Sequence, residues 1–332
     1  MFRNFNFIYA GYRVAWIIPL LGGVMGGFLG REISVNISRI TALPTPKSPP
    51  KRGLSNLTKP QLFGYKIMLK IAVNGACGRM GARIAALIIE DPQLKLVAAL
   101  EMHGHSFLDK DVGTVAGCGE THVKITSTLN TQADVLIDFS SPESTVAIAE
   151  LCAMKGIGLV AGTTGLSTQQ FEKIKHLSRQ MPCLVSPNMS VGVNVMFSLA
   201  AQMAQMLGTD FDIEIIETHH RFKKDAPSGT ALKLADKICE ATGRKLDKDV
   251  VYGRHGITGE RPENQIGMHA VRSGDVIGDH TVVFGSLGER IEITHKAHTR
   301  DTFVRGAIRA AKFIAQKPPG MYSMSDVLSI QS

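Results

Sequence analysis

The sequence is poor in cysteine, and the few cysteines it has are scattered. There are five in 332 residues, and no two of them are spaced as a CxxC pair. They are Cys77, Cys118, Cys152, Cys183 and Cys239. An odd number without paired spacing argues against a disulfide framework and against a zinc site. We therefore expect reduced thiols, a compartment like the cytosol and no bound metal.

The chain also lacks net charge beyond its first 66 residues. The whole sequence carries +8, but residues 1–66 hold nine basic side chains against one acid, Glu32. The rest of the chain carries 28 basic and 28 acidic residues. A neutral body has no net attraction for phosphate backbones, so we expect no nucleic-acid partner.

A hydrophobic run of membrane-spanning length is missing as well. Residues 14–30 form 17 consecutive uncharged positions, just short of the roughly 20 that a spanning helix needs. Pro19 and five glycines interrupt them, and residues 41–60 have too many prolines and too few apolar anchors to pack. We interpret residues 1–67 as a leader that is disordered or absent from the mature protein, which we expect to be cytoplasmic and not bound to a membrane. A signal anchor and a transit peptide for a plastid or another organelle remain open alternatives.

From Met68 onward, short apolar runs alternate with helical patterns. This alternation predicts βαβ units and a mostly parallel sheet, which is an α/β fold. The predicted strands are 70–73, 96–100, 123–125, 135–139, 158–161 and 183–186, and the predicted helices are 79–90, 144–155 and 167–179.

A glycine-rich loop follows the first predicted strand. It consists of Gly75, Ala76, Cys77, Gly78, Arg79, Met80 and Gly81. Glycines allow a tight turn and a close approach of the backbone to a pyrophosphate, which the free amides of the following helix favour. Glu101, at the end of the second strand, is spaced to accept hydrogen bonds from an adenosine ribose. The alternative is a surface turn and a solvated acid.

Two more loops leave the carboxyl ends of predicted parallel strands, where ligands of open α/β sheets bind. One contains Gly162, Thr163, Thr164 and Gly165, and the other contains Ser186, Pro187, Asn188 and Met189. The first of these loops is small enough for backbone contact with a nicotinamide ring. Either loop alone is equally typical of a routine turn.

A basic cluster follows the strand predicted from Asp212. Its members are His219, His220, Lys223 and Lys224. Ser228 then has the character of a helix N-cap, which leaves the amides of Gly229 and Thr230 free to bind an anion. The cluster suits an anionic substrate that receives a proton from a histidine or lysine. The alternative is a solvated basic turn.

The remaining pattern predicts further strands over 266–272, 280–285 and 289–294, in antiparallel or mixed pairing. A last helix over 302–315 is expected to return to the first domain. Neighbouring strand residues point to opposite faces, so His219 and His220 cannot easily share a metal. The other histidines are interpreted as strand-surface or packing residues: His255, His269, His280, His295 and His298.

The segment from Met68 to the C terminus resembles the 4-hydroxy-tetrahydrodipicolinate reductase family. The segments that carry the resemblance are VNGACGRMG (73–81), DFSSPE (138–143), GTTG (162–165), NMSVGVNVM (188–196), IEIIETHHRFKKDAPSGTA (213–231) and GERIEITHKAHTRDTF (288–303). The HHxxKxDAPSGTA signature within them is far more specific than a glycine loop.

This resemblance implies a Rossmann-type dinucleotide-binding domain, residues 68–190 and 300–332, and a smaller α+β mixed-sheet domain, residues 191–299. The second domain would bind substrate and assemble a homotetramer through its sheet. The implied reaction is reduction of 4-hydroxy-tetrahydrodipicolinate by NADH or NADPH to tetrahydrodipicolinate and water, in the diaminopimelate route of lysine biosynthesis.

The resemblance also implies roles for individual residues. His219 would donate or accept the proton, and Lys223 would donate to the substrate or orient it. The substrate carboxylates would be bound by His220, Lys223, Ser228, Gly229 and Thr230. The adenosine and pyrophosphate would be held by Gly75 through Met80 and by Glu101. The nicotinamide would be surrounded by Gly162 to Thr164 and Ser186 to Met189.

One position departs from the family pattern. Members that accept NADPH well commonly have an arginine after the strand-end acid, whereas this chain has Met102. A thioether cannot bind a phosphate dianion and Glu101 would repel one, so we predict a preference for NADH. Arg79 and His103 are the residues that could compensate. Two alternatives remain: an aspartate- or homoserine-type dehydrogenase of amino-acid metabolism, and a nucleotide-sensing module without turnover.

Overall fold

The structure is a computed structural model that describes residues 68–330 and the backbone of two short strands near the N terminus. These strands, β1 (Ile8–Tyr9) and β2 (Tyr12–Arg13), pair antiparallel. The chain divides into two units, residues 1–62 and 63–332, and all other elements belong to the second. The predictions made for the leader lie outside the described residues. No helix in the described part is long and apolar enough to cross a bilayer.

Seven parallel strands form the first sheet, in the order β14-β8-β7-β6-β3-β4-β5. Their bounds are β3 (Leu69–Asn74), β4 (Leu94–Leu100), β5 (Ile125–Thr126), β6 (Val135–Asp138), β7 (Gly158–Ala161), β8 (Pro182–Val185) and β14 (Gly320–Tyr322). Every residue of β6 and β7 is buried, as expected for parallel strands that are covered on both faces.

Helices cover both faces of this sheet. They are α1 (Arg79–Glu90), α2 (Val112–Ala116), α3 (Pro142–Lys155), α4 (Thr168–Leu177), α8 (Asp301–Ile314) and α9 (Met324–Leu328). One buried cluster joins the sheet to α1 and α8 through residues such as Ile84 and Val304, and another joins it to α3 and α4 through Ile148 and Ile174. The helix predicted over 302–315 is α8, and it therefore returns to the first sheet as expected.

A five-stranded mixed sheet forms the second core. Its order is β10-β11-β9-β12-β13, with parallel pairing among the first three strands and antiparallel pairing from β9 onward. The strands are β9 (Asp212–His219), β10 (Val250–Tyr252), β11 (Ile266–Arg272), β12 (Asp279–Gly285) and β13 (Arg290–Lys296). Its inner face packs on α5 (Val191–Leu207) and α6 (Gly229–Thr242), and α7 (Leu246–Asp249) is one short turn. The α/β prediction, with a Rossmann-type sheet and a smaller mixed-sheet part, is confirmed.

Most predicted elements are present, with corrected ends. The strand expected over 123–125 is instead β5, because residue 124 bridges antiparallel to residue 111. The helix expected from residue 144 begins at Pro142, since Ser141 caps it. The sequence pattern did not predict β10 and β14, edge strands of three residues each. Nor did it predict α5, whose β-branched start is not typical of a helix.

Candidate functional site

The glycine loop joins the carboxyl end of β3 to α1. Gly75 has a φ of +73°, and a Cβ on Gly81 would lie 2.0 Å from the Gly75 carbonyl oxygen, so only glycine permits this approach. Gly78 is the N-cap and has no side chain to cap the helix. The amides of Arg79 and Met80 have no acceptor among the described residues. These free amides at a helix start fit a pyrophosphate.

Glu101 lies beside this loop at the end of β4. Its carboxylate accepts hydrogen bonds from the amides of Cys77 and Met102, each at 3.0 Å. A carboxylate has about four lone-pair sites, so acceptor capacity remains for ribose hydroxyls. The side chain of Met102 is 70% exposed and offers no charge. The loop and the acid together fit the adenosine end of a dinucleotide.

Three atoms that could serve as metal ligands lie within 4.8 Å of one another. They belong to Cys77, Glu101 and His105. Burial, and next the neighbouring carboxylate, raises the pKa of Cys77 to about 11, so this thiol is protonated at neutral pH. Nδ1 of His105 accepts a hydrogen bond from the amide of Phe107 at 3.2 Å. These donors therefore have other partners and surround the acid expected to bind ribose.

Asp138 joins the loops at the carboxyl ends of β3, β6 and β7. The fully buried carboxylate accepts hydrogen bonds from Asn74 (2.7 Å), Ser140 (2.6 Å) and Thr163 (2.9 Å). The hydroxyl of Thr163 therefore points into the protein, and only its backbone remains to meet a nicotinamide. A Cβ on Gly162 would lie 2.2 Å from the ring of Phe139, so this position must stay small.

The loop after β8 reaches the second sheet's helices. Nδ2 of Asn188 donates to the hydroxyl of Thr230 at 2.9 Å, and Ser186 donates to the Asn188 carbonyl at 2.9 Å. Pro187 is exposed, whereas the side chain of Met189 is buried in the core beneath the first sheet. The structure thus brings the loop predicted at the nicotinamide into contact with the predicted anion site.

The start of α6 has the geometry that the sequence predicts. Ser228 is the N-cap, and its hydroxyl accepts a hydrogen bond from the amide of Ala231 at 3.1 Å. The amides of Gly229 and Thr230 have no acceptor in the part of the chain that the structure describes. Two free amides at the positive end of a helix can bind a carboxylate.

His219 ends β9 and is 9% exposed. Its Nδ1 lies 2.5 Å from a carboxylate oxygen of Glu217. Its Nε2 borders Gly278, where a Cβ would be only 3.0 Å away. Burial lowers the pKa of His219 below its ordinary value, although the Glu217 carboxylate opposes that effect. A shielded imidazole with one nitrogen held and the other left open is suited to proton transfer.

The two other basic residues lie on the turn that follows. The ammonium of Lys223 donates to both carboxylate oxygens of Asp225, at 2.9 and 2.8 Å. It is near enough to His219 for its charge to lower the pKa of that ring. Nδ1 of His220 is buried without a hydrogen-bond partner among the described residues. Lys224 has no ion pair in the described part of the chain.

Three residues of this site were not singled out from the sequence. Glu217 contacts His219 and accepts a hydrogen bond from Arg272. His280, predicted to be a surface or packing histidine, is a packing residue. Its ring centroid lies 5.2 Å from that of His219. The alternation of β9 contains a signal for Glu217, because period two puts it on the same face as Ile215 and His219. No sequence pattern indicates that β11 and β12 would supply the other two.

Comparison with known proteins supports the resemblance seen in the sequence. A family model described as dihydrodipicolinate reductase, N-terminus, matches residues 69–189, and one described as dihydrodipicolinate reductase, C-terminus, matches residues 192–328. A 4-hydroxy-tetrahydrodipicolinate reductase of Syntrophus aciditrophicus is 47% identical over 268 residues, covering 80% of this chain and 100% of the relative. The enzyme of that name from Geotalea daltonii is 49% identical over 267 residues, with the same two coverages.

Solved structures agree. The dipicolinate-bound dihydrodipicolinate reductase from Paenisporosarcina sp. TG-14 aligns with a TM-score of 0.62 and 25% identity, covering 80% of this chain and 100% of that one. GenD2 from gentamicin A biosynthesis, solved with NAD, aligns with a TM-score of 0.51 and 12% identity over 79% of this chain and 90% of its own, and shows the fold alone. The first sheet thus has a Rossmann-type fold, and the chain belongs to the dihydrodipicolinate reductase family.

Proposed function

We propose that this chain reduces 4-hydroxy-tetrahydrodipicolinate with a reduced nicotinamide dinucleotide, giving tetrahydrodipicolinate and water in the diaminopimelate route to lysine. The observation that carries the proposal is the hydrogen bond of 2.9 Å between Asn188 and Thr230. It joins a loop at the carboxyl edge of the dinucleotide-binding sheet to a helix start with free amides. A buried imidazole, His219, lies two hydrogen bonds from that helix start, through Glu217 and Ser228.

The dicarboxylate substrate is held by charge and by free donors. The amides of Gly229 and Thr230 bind one carboxylate at the start of α6, and Lys223 exchanges its pairing with Asp225 for a substrate carboxylate. Nδ1 of His220, which has no hydrogen-bond partner among the described residues, adds a further donor. Binding of this kind fixes the reacting carbon against the loops of the first sheet and excludes water from it.

The bound dinucleotide supplies the hydride. Nε2 of His219 carries the proton that the product requires, because Nδ1 is engaged by Glu217. The ammonium of Lys223 stabilises negative charge that develops on the substrate and orients it for the transfer. The dinucleotide is held by residues of the first sheet's loops: Gly75 to Met80, Glu101, Gly162 to Thr164 and Ser186 to Met189.

We further propose that NADH is preferred over NADPH. An adenosine 2′-phosphate would lie near the carboxylate of Glu101, which repels it, and near Met102, which has no donor for it. The exposed Arg79 lies at the helix start and is the one basic residue of the glycine loop, residues 75–81. The absence of a metal requirement remains a prediction, and so does a cytoplasmic location.

A homotetramer assembled through the outer face of the second sheet completes the proposal. On that face Ile216 and Val271 are 37% and 42% exposed. Exposed apolar strand residues in the middle of a sheet are typical of a surface that another protein covers. A second copy of this chain is the partner that the family resemblance implies.

Steady-state kinetics with a panel of substrates tests the activity. We expect turnover of 4-hydroxy-tetrahydrodipicolinate with NADH, and none with aspartate or homoserine. His219→Ala should lower kcat about a hundredfold or more with little change in KM, because a proton donor acts mainly in the transition state. Lys223→Ala should impair both constants. Cofactor binding without turnover, or wild-type kcat in both variants, would contradict the proposal.

A further inference from the structure

A buried carboxylate lies directly behind His219. Glu217 is two residues earlier on β9, so its side chain shares the inner face of the sheet, and it is 0% exposed. It accepts hydrogen bonds from Nδ1 of His219 (2.5 Å), from two nitrogens of Arg272 (2.9 and 3.0 Å) and from the amide of Ser228 (3.0 Å). A charge so far from water persists only with such partners.

We propose that Glu217 is the positioning residue of the active site: it orients the imidazole of His219 and holds that ring at a set distance from the anion-binding start of α6. This inference rests on the proposed function, and it assigns to Glu217 no contact with substrate or dinucleotide.

The first part of the argument is the orientation of the ring. An ionised carboxylate can only accept hydrogen bonds, so Nδ1 of His219 carries the hydrogen and points toward Glu217. Nε2 is then the nitrogen left for the substrate. Gly278 beside Nε2 has no side chain to cover it, and the ring of His280 packs edge-on against His219 from β12. The hydrogen bond to Glu217 and the contact with His280 both favour this orientation of the ring.

The second part is the link to the anion site. The amide of Ser228 donates to the same carboxylate, and the hydroxyl of Ser228 accepts from the amide of Ala231. That hydroxyl also lies 3.1 Å from Nε2 of His280. One carboxylate therefore joins the imidazole to the residue that caps α6. The amides of Gly229 and Thr230 follow directly along the chain.

The third part is electrostatic, and it involves every charged group that faces the ring. Burial lowers the pKa of His219 most, the Glu217 carboxylate raises it, and Lys223 and Arg272 lower it further. Burial likewise lowers the pKa of His280 to about 3, so that neighbouring ring is neutral. Glu217 itself stays ionised: burial alone would raise its pKa, but the hydrogen bonds from Arg272 and His219 outweigh burial and lower it.

The test compares Glu217→Gln with the wild-type full-length enzyme. Glutamine keeps the size and the hydrogen-bonding capacity of the side chain but removes the charge. We expect the pKa of His219, measured by NMR on ring-labelled protein, to fall by about one unit or more. We expect kcat to fall about tenfold or more, the basic limb of the pH profile of kcat/KM to move to lower pH, and the Kd for NADH to stay within about twofold of the wild-type value.

A second variant should shift the pKa of His219 in the opposite direction. Arg272→Gln removes a cation that lowers the pKa of His219, so in this variant that pKa should rise. A merely structural role predicts something else, because loosening the site exposes the ring and moves its pKa upward in both variants. Glu217→Asp keeps the charge and should retain most of the wild-type pKa, with a lower kcat from the shorter side chain.

The chain also offers a matched control. Glu214 lies on the same strand but faces the outer side of the sheet, where it accepts hydrogen bonds from Arg254, Arg261 and His269. Glu214→Gln thus removes a comparable arginine-bound carboxylate without touching His219. We expect the pKa of His219 and the pH profile to be unchanged in this variant.

The possible outcomes are distinct. If Glu217→Gln retains the wild-type kcat and pH profile, or if the pKa of His219 rises in it, Glu217 does not position the ring. If the wild-type enzyme fails to reduce the substrate, the proposed function fails instead, and the NMR titration still decides whether Glu217 controls His219. Should Glu217→Gln not fold, Glu217→Asp supplies the comparison. The proposal predicts a nearly wild-type pKa of His219 with a lower kcat, whereas loosening of the site predicts a raised pKa.

Discussion

At the scale of single residues, two carboxylates near the carboxyl ends of strands β4 and β9 lie in different surroundings. Glu101 keeps acceptor capacity open beside the glycine loop, whereas Glu217 has all its partners inside the protein. The difference comes from burial, because an exposed carboxylate can exchange water for a ligand and a buried one cannot. In the proposal, the residue after Glu101, which is Met102, decides which dinucleotide is preferred.

Met102→Arg tests that decision. An arginine at this exposed position can bind a 2′-phosphate through a charge-assisted hydrogen bond, which contributes about 1.5–3 kcal/mol. We expect the ratio of NADPH to NADH catalytic efficiency to rise about tenfold or more. Met102→Leu is the control and should leave the ratio unchanged. A wild-type enzyme that already favours NADPH strongly would refute the underlying argument.

At the scale of secondary-structure elements, the site depends on how closely elements approach one another. Helix α1 meets the loop after β3 at Gly81, and helix α6 meets the loop after β8 through Thr230 and Asn188. Both helices begin with amides that lack acceptors in the described part of the chain. Free amides at a helix start can bind an anion, so we propose both helix starts as anion sites.

Gly81→Ala should disturb the first approach. The added methyl group would meet the Gly75 carbonyl oxygen at 2.0 Å, so α1 must move away. Overpacking of this kind costs about 1–3 kcal/mol in the free energy of unfolding, and we expect weaker NADH binding in fluorescence titrations. Gly285→Ala, where a Cβ would meet no atom within 4 Å, is the control. Equal NADH affinity in both variants would show that the approach is not needed.

The outer side of β9 supports a prediction about acid stability. Glu214 has a pKa of about 2: burial alone would raise that pKa, but hydrogen bonds from Arg254, His269 and Arg261 lower it. A depressed pKa means that this carboxylate stabilises the fold above its unfolded-state pKa and loses that contribution as pH falls toward 2. In chemical denaturation from pH 6 to pH 2.5, the free energy of unfolding should therefore drop less steeply for Glu214→Gln than for the wild type. Identical slopes would argue against the ion cluster.

At the scale of the whole molecule, the two sheets have different surroundings. The first is covered by helices on both faces, whereas the second buries only its inner face against α5 and α6. Its outer face carries Ile216 and Val271 in exposed positions. Apolar surface of this kind is stabilised when a second copy covers it.

Ile216→Lys should break that assembly. A lysine in the middle of the outer face would be buried without a partner, which is unfavourable. Sedimentation velocity should show a smaller species than the tetramer that we propose for the wild type. Met154→Lys, on the exposed side of α3, is the control and should sediment like the wild type. A wild-type monomer would refute this part of the proposal.

The sequence alone determined much of this protein. Hydrophobic alternation predicted the parallel sheet, and the spacing of Gly75, Gly78 and Gly81 predicted a phosphate-binding turn, because these are local properties of strands and helix starts. Ser228 as an N-cap and the family resemblance also came from contiguous residues.

Tertiary structure decided the rest. The partners of His219 come from β9, β11 and β12, whose order in the sheet is β11-β9-β12, and no local pattern specifies which strand lies beside which. The contact between Asn188 and Thr230 likewise joins residues 42 positions apart. Such contacts depend on the packing of two sheets, and packing is a property of the whole chain rather than of any window within it.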